Sequence, residues 1–399
     1  MKYFKFFLVR LVLIIISALI TSLLIFIILE SFPSIIRYTK LYRINYFDIK
    51  YNIIPHHRLA FVIRPNTEWI GGFVGDRYSP DYGIEPQRIK YIAHYNELGF
   101  RVNSSRPPYK IIVIGDSYAE IGENDKDTLS EYLNKITGLS SYNLGLAWYG
   151  PFQYIEVLKL YGLKLHPKYA ILCFFAGNDI KDIREYLKWL NGGSYYGLNQ
   201  SKTFFERYKI AVIDSISYVY HLTHDYFVLK KFKNKREYMH PNLGLIKLKN
   251  IYAKMVFDYW NVPESSEQLV SSKEWQILGS LLKEFKNLCH KNGIIPIIVY
   301  IPTQIEVYGE YYSTKSGSHF LERIKEQLVF QNNSSDAMEK LTKDINIKLI
   351  NLLPHFRKLA GEGELLYYPF DTHWNPGGKK AAAEFIATSL GLNPNSTKK

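Results

Sequence analysis

One apolar run constrains this chain more than any other feature of its sequence. Residues 11–29 read LVLIIISALITSLLIFIIL, which is nineteen residues without a charged side chain. At about 1.5 Å of rise per residue, a helix of that length is roughly 28 Å long, close to the hydrocarbon thickness of a bilayer. No later stretch is apolar enough and long enough to span. We therefore predict a transmembrane anchor at residues 1–30, with the rest of the chain on one side of the membrane.

A cleavable signal peptide is the alternative to an anchor. Its apolar region is usually shorter and ends in a small-x-small cleavage site, whereas Glu-Ser-Phe-Pro follows here at residues 30–33. The sequence therefore favours an uncleaved, single-pass anchor. The flanking charges do not determine which end of the anchor faces the cytoplasm, because basic residues lie on both sides of the apolar run. These are Lys2, Lys5 and Arg10 before it, and Arg37, Lys40, Arg43 and Lys50 after it. We expect the body of the protein to be extracytoplasmic.

The composition is that of a folded, basic protein. Of 399 residues, 47% are hydrophobic, which excludes a disordered or collagen-like chain. The net charge of +13 comes from scattered, lysine-rich positions without an arginine cluster, so we expect no nucleic-acid partner. An anionic membrane or an acidic glycan suits the charge better. Two cysteines, Cys173 and Cys289, cannot build a disulfide framework and match no zinc spacing.

Alternating strands and helices follow the anchor. Short β-branched runs predict strands at residues 109–114, 141–144, 169–175, 294–301 and 345–352, and helices are predicted at 128–136, 153–161, 273–290 and 378–390. This alternation indicates an α/β fold with a doubly wound parallel sheet. We predict a juxtamembrane lead-in at residues 31–105 and one domain at 106–392, with helical insertions at about 180–263 and 303–343.

Three polar motifs fall at the ends of predicted strands or in the last loop. Gly115-Asp116-Ser117 follows the first strand, and Gly177-Asn178-Asp179 follows the third. Asp371 and His373 lie in the loop before the last helix. A serine becomes nucleophilic when a histidine accepts its proton, and a carboxylate can orient that histidine. Each motif alone could be a turn or a helix cap, but the three together predict a serine-dependent site.

These motifs resemble the SGNH/GDSL hydrolases, and particularly their membrane-anchored bacterial branch. The resemblance covers about residues 90–390 outside the insertions and rests on these segments: NELGFR at 96–101, IIVIGDSYAEIGE at 111–123, NLGLAWYGPFQ at 143–153, FFAGNDIKDI at 174–183 and YYPFDTHWNPGGKKAAAEF at 367–385. It implies a flavodoxin-like sheet and a hydrolase activity on esters. Separately, we expect no cofactor.

The resemblance also implies a role for each motif residue. Ser117 would be the nucleophile, His373 the general base and Asp371 its orienting carboxylate. The oxyanion donors would be the Ser117 N–H, the Asn178 amide and backbone N–H groups of the block that contains Trp148 and Gly150.

Two departures from the family pattern bear on function. Trp148 stands where the family has a glycine, and its side chain would crowd the acyl pocket, which favours a small acyl group. The acid and base are spaced Asp-x-His, where many relatives have Asp-x-x-His. The Asp-Thr-His-Trp form is similar to domains that O-acetylate exported polysaccharides, so acetyl transfer competes with hydrolysis.

The sequence thus leaves three functions open. The first is an anchored serine esterase that hydrolyses small acyl esters, acetyl esters in particular, on a small molecule or a cell-envelope glycan. The second is a polysaccharide O-acetyltransferase with the same three residues, and the third is a catalytically silent envelope scaffold. No cluster of His, Asp or Cys has ligand spacing, so we expect no metal. The oligomeric state stays open.

Overall fold

The computed structural model describes residues 2–32, 35, 52–72, 90–196, 203–232, 243–249, 251–256, 265–312, 328–368 and 371–392. Its first helix, α1 (Lys2–Ser31), contains the predicted apolar run. Among the described residues, only the stretch Phe6–Ser31 of this helix is long and apolar enough to cross a membrane. Since a signal sequence near the N-terminus can also pass this test of length and composition, α1 is a candidate membrane span.

The strands of the described residues are, in chain order, β1 (Ile53–His56), β2 (Ala60–Ile63), β3 (Glu68–Gly72), β4 (Lys90–His94), β5 (Ile111–Ile114), β6 (Ser141–Asn143), β7 (Tyr169–Phe175), β8 (Leu243–Leu248), β9 (Ile251–Val256), β10 (Ile295–Ile301) and β11 (Lys348–Asn351).

The helices after α1 are, in the same order, α2 (Ser117–Glu120), α3 (Leu129–Thr137), α4 (Pro151–Val157), α5 (Asp179–Leu190), α6 (Phe204–Phe232), α7 (Ser266–Ser271), α8 (Lys273–Lys291), α9 (Gln304–Tyr308), α10 (Asn333–Asp344), α11 (Leu353–Glu362) and α12 (Pro376–Ser389).

Five strands form the central sheet, in the order β6-β5-β7-β10-β11, and every neighbouring pair is parallel. Numbered by their order in the chain, these strands read 2-1-3-4-5, which is the flavodoxin-like order. The predicted doubly wound α/β fold is confirmed. Every residue of β5 and β7 is buried, as their β-branched and aromatic composition predicts for strands covered on both faces.

The topology determines where a site can form. In a sheet of this order, ligands bind beyond the carboxyl ends of the strands, at the switch point between the first and third strands. Those strands are β5 and β7, which pair from Ile111 with Tyr169 to Ile114 with Leu172. Ser117 follows the end of β5 and Asn178 follows the end of β7, so both motifs lie at the switch point.

The lead-in packs into the same core as the sheet. Hairpins β1–β2 and β3–β4 are antiparallel, and Phe61, Tyr95 and Phe100 are buried in one hydrophobic cluster with the central strands. The hydroxyl of Tyr149 donates to the carbonyl of Phe61 over 2.7 Å. The lead-in therefore contributes packing and hydrogen bonds to the α/β body.

The first insertion differs from the prediction of helical structure. It contains helices α5 and α6, but also the antiparallel hairpin β8–β9. By the register of the pair, the apolar residues Ile246, Leu248 and Met255 share one face, a pattern typical of a strand pair with one buried face. Ile246, Leu248 and Met255 are buried in the main core, which explains why this segment pairs as strands.

Candidate active site

The turn between β5 and α2 passes close to β7 at Gly115. A Cβ on Gly115 would lie 2.9 Å from the Cβ of Cys173 on β7 and 3.0 Å from that of Ala119, so only glycine fits. The next residue, Asp116, caps α2 by accepting a 2.9 Å hydrogen bond from the Tyr118 N–H. Ser117 begins α2 and is partly exposed at the carboxyl end of the sheet.

The structure brings the three predicted residues of the hydrogen-bond chain together. The Nε2 atom of His373 lies 2.8 Å from the Oγ atom of Ser117, although 256 residues separate the two in the chain. On its other side, Nδ1 of His373 contacts Oδ1 of Asp371, which also accepts the His373 backbone N–H over 2.9 Å. A carboxylate at Nδ1 favours the tautomer whose Nε2 lone pair can accept the serine proton.

Charges around the histidine raise its pKa. Burial alone would lower the pKa of His373, but the carboxylates of Asp371 and Asp116 outweigh it, so the pKa lies above its ordinary value. Burial also raises the pKa of Asp116 to about 6, against the opposing effects of Tyr118, His373 and Asn178. The site therefore stabilises the imidazolium that forms when the histidine accepts a proton.

The predicted oxyanion donors have different surroundings. Neither the Ser117 N–H nor the Trp148 N–H has an acceptor among the described residues. The N–H of Gly150, in contrast, donates to Oε1 of Gln153 over 3.2 Å as part of the cap of α4. A Cβ on Gly150 would lie 2.4 Å from the Cβ of Asp182, so this glycine allows α4 and α5 to pack closely. The side chain of Asn178 lies beside Asp116.

Trp148 adopts an unusual backbone conformation. Its φ is +66°, in the left-handed region that disfavours residues with a Cβ, and its carbonyl accepts the Tyr195 hydroxyl over 2.5 Å. The ring packs against Phe61 and Trp69, yet 38% of the residue stays exposed. The N–H of the preceding residue, Ala147, donates to Glu120 at the end of α2. Trp148 therefore lies in a loop that is hydrogen-bonded to the helix that begins at Ser117.

Two residues that the sequence analysis does not single out, Tyr118 and Gln304, hold the loop that contains Asp371 and His373. The hydroxyl of Tyr118 donates to the carbonyl of Thr372, the residue between Asp371 and His373, and the Tyr118 ring lies 5.1 Å from that of His373. Gln304 lies on α9, in the second insertion, and its amide donates to the carbonyls of Tyr368 and Asp371 over 2.9 and 2.7 Å. In the sequence, Tyr118 could have been suspected of a role because it directly follows Ser117. No sequence pattern points to Gln304.

Within the described ranges, no three His, Cys, Asp or Glu side chains converge to hold a metal ion. The chemistry that the geometry supports is proton transfer from a serine hydroxyl to a histidine.

Comparison with a family model supports this interpretation. Residues 262–398 match the model described as "SGNH hydrolase-like domain, acetyltransferase AlgX". The match contains Asp371 and His373, and it confirms the resemblance to SGNH hydrolases for the carboxyl-terminal third of the chain. It indicates chemistry on acyl esters, either hydrolysis or acetyl transfer. No curated protein matches the chain.

Solved structures give only distant likenesses. A GDSL-like lipase from Bacteroides thetaiotaomicron is 10% identical with a TM-score of 0.34, and the match covers 71% of this chain and 88% of the lipase. A variant of an acetyl-xylooligosaccharide esterase from Geobacillus is 10% identical with a TM-score of 0.36, and the match covers 71% of this chain and 94% of the esterase.

Proposed function

We propose that this chain is a membrane-anchored serine enzyme that removes small acyl groups, acetyl in particular, from esters. The observation that carries the proposal is the continuous chain of contacts from Ser117 through His373 to Asp371 at the switch point of the sheet. A nucleophile, a base and an orienting acid in contact are the arrangement required for covalent catalysis by serine.

The first half of the reaction forms an acyl-enzyme. The Oγ atom of Ser117 attacks the ester carbonyl carbon while its proton passes to Nε2 of His373. The resulting imidazolium is stabilised by Asp371. When the tetrahedral intermediate collapses, the ester C–O bond breaks, and the leaving alkoxide takes the proton from His373. The acyl group then remains on Ser117 as an ester.

The second half regenerates the serine. A water molecule attacks the acyl carbon as His373 accepts its proton, and the Ser117 Oγ leaves with that proton to release a carboxylic acid. In both halves, the oxyanion of the tetrahedral intermediate needs hydrogen-bond donors. We assign this role to the Ser117 N–H, the Trp148 N–H and the Asn178 amide. For the Asn178 amide, this requires it to turn from Asp116 towards the substrate. The Gly150 N–H is engaged in its helix cap, so we assign it no such role.

A small acyl group follows from the side chain at position 148. Where a glycine would leave space beside the donor N–H, this chain has an indole ring held by Phe61 and Trp69. The ring would limit the length of an acyl chain bound against the serine. Acetyl is therefore the group that we expect the site to accept best.

A second candidate function is transfer of the acetyl group to a sugar hydroxyl. The family match favours it, because the matched model describes an acetyltransferase and covers the loop with the acid and the base. The chemistry is the same except that a sugar hydroxyl replaces water as the second nucleophile. We propose that the body faces the extracytoplasmic side, where envelope glycans are found, with α1 as its anchor.

The proposal is tested with the full chain in detergent and p-nitrophenyl acetate as substrate. We expect hydrolysis by the wild type and its loss in Ser117→Ala, while Ser280→Ala, which changes an exposed serine on α8, keeps full activity. Activity that survives in Ser117→Ala would contradict the proposal. With oligosaccharide acceptors present, an acetylated sugar product would identify transfer, and free acetate as the sole product would identify hydrolysis.

A further inference from the structure

Helix α6, in the first insertion, packs directly on the apolar helix α1. The ring of Phe26 lies 5.4 Å from the ring of Phe204 and 5.4 Å from that of Tyr208, both in edge-on contact. Ala211 is buried in the same small cluster, with Phe26 and Leu29. This cluster is separate from the main core, so it joins the insertion to the anchor rather than to the sheet.

Two polar contacts show that α6 meets α1 within the candidate membrane span. The hydroxyls of Ser22 and Tyr208 lie 2.5 Å apart, and Nε of Arg207 lies 3.0 Å from Oε2 of Glu30. Ser22 precedes the end of the span at Ser31 by nine residues, or roughly 13 Å of helix. The hydrocarbon core is about 30 Å thick, so a span that ends at Ser31 brings Tyr208 below the level of the headgroups.

A second face of α6 is apolar and exposed. The exposed fraction is 74% at Phe205, 52% at Ile213, 64% at Ile216, 57% at Val219 and 59% at Tyr220. At 3.6 residues per turn, these five positions lie within an arc of roughly 120°. We call them the apolar stripe of α6.

Charged residues keep α6 from being a second span but suit a position at the membrane surface. Glu206 and Asp214 lie outside the arc of the apolar stripe, on the remaining side of the helix. Lys209 lies within the arc and is exposed, and its long side chain can reach the lipid phosphates while its methylene groups stay in apolar surroundings. An apolar face with charged residues beside it is typical of helices that lie in the membrane interface.

We propose that α6 is an interfacial helix, immersed in the leaflet from which the anchor emerges, with its apolar stripe against the acyl chains of phospholipids. The inference rests on the proposed anchoring by α1, because the contact between α6 and residues 22–30 of α1 sets the depth of α6. It gives the body two attachments to the bilayer, the anchor and the stripe, which would restrict how the catalytic edge can turn relative to the membrane.

The test measures lipid contact at single labelled positions in the full chain. Ile216→Cys, Ser217→Cys and Leu13→Cys are each labelled with an environment-sensitive NBD fluorophore and reconstituted in vesicles of phosphatidylcholine and phosphatidylglycerol. Cys173 and Cys289 are buried, and burial raises the pKa of both thiols, so the wild type gives the labelling background. Quenching by spin-labelled lipids then reports contact with acyl chains. Ser217 is the matched control, since it is exposed on α6 outside the stripe.

We expect blue-shifted, strongly quenched fluorescence at position 216, weaker quenching at 217, and deep quenching at 13. Water-like, unquenched fluorescence at 216 together with deep quenching at 13 would overturn the placement of α6 and leave the anchor intact. Unquenched fluorescence at 13 would overturn the anchor and the placement together. A blue shift at 216 that is insensitive to spin-labelled lipid, with cross-linking between copies, would assign the stripe to a second copy of the chain instead.

Discussion

The two sides of the proposed catalytic edge are built differently. On the base side, Asp371 and His373 lie in a loop whose carbonyls are held by Tyr118 and Gln304. On the acyl side, the loop that contains Trp148 carries a partly exposed indole on a left-handed backbone. Both loops are held by hydrogen bonds, but the proposed limit on acyl size depends on one side chain, the indole of Trp148. We therefore expect that substitutions on the base side change proton transfer and that substitutions at Trp148 change acyl selection, each without the other.

The largest effect is expected at the acid. In Asp371→Asn, the carboxylate that orients His373 and stabilises its cation is lost, so kcat with p-nitrophenyl acetate should fall about 10³–10⁴-fold. Asp336→Asn, on the exposed surface of α10, is the matched control and should keep wild-type activity. A loss below tenfold in Asp371→Asn would contradict its assigned role.

The acyl side is tested by removing the indole. Trp148→Gly opens the proposed acyl pocket and suits the positive φ, so the ratio of kcat/KM for butyrate to that for acetate should rise about 10–100-fold. Trp148→Phe keeps an aromatic ring and should keep the preference for acetate. An unchanged ratio in Trp148→Gly would show that the indole does not limit the acyl group.

A smaller effect is expected at the tyrosine that holds the base loop. Tyr118→Phe removes the hydrogen bond to the Thr372 carbonyl but keeps the ring against His373, so kcat should fall roughly fivefold with little change in KM. Tyr132→Phe, on α3, is the comparison variant and should change neither constant. An effect on KM alone would argue against a role in positioning the base.

The smallest effect concerns pH. His373 must be neutral to accept the serine proton, and its pKa is raised, so kcat/KM should fall as pH decreases, with its half-maximum above 6.5. The carboxylate of Asp116 contributes to that raised pKa. In Asp116→Asn the acidic limb should therefore move to lower pH, and an unmoved limb in a folded variant would contradict the contribution. The measurement is kcat/KM from pH 5 to 9.

The regular parts of the fold could be predicted from the sequence because their signals are local. Strand β7 occupies the predicted residues 169–175, because a short, unbroken run of apolar residues predicts a strand buried on both faces without reference to the rest of the chain. Hairpin β8–β9 was not predicted, since its strands are short and lysine-containing and their burial depends on distant partners. The contact between α1 and α6 likewise depends on two helices whose first residues are about 200 positions apart.

The same distinction applies to the site. Ser117, Asp371 and His373 were found because each lies in a short motif with recognisable chemistry. Gln304 was not, because its role comes from the approach of α9 to the base loop, and a glutamine at the start of a helix has no distinctive pattern. The capping role of Gly150 depends in turn on Gln153, through a contact that the family motif does not reveal.

The proposed catalysis requires a covalent role for Ser117, which site-mapped labelling by a fluorophosphonate probe measures directly. The wild-type full chain, treated with the probe and analysed by peptide mass spectrometry, should carry one adduct on Ser117. Labelling should be lost in Ser117→Ala and strongly reduced in His373→Ala. A wild-type chain that carries no adduct on Ser117 would contradict the account and support a catalytically silent scaffold.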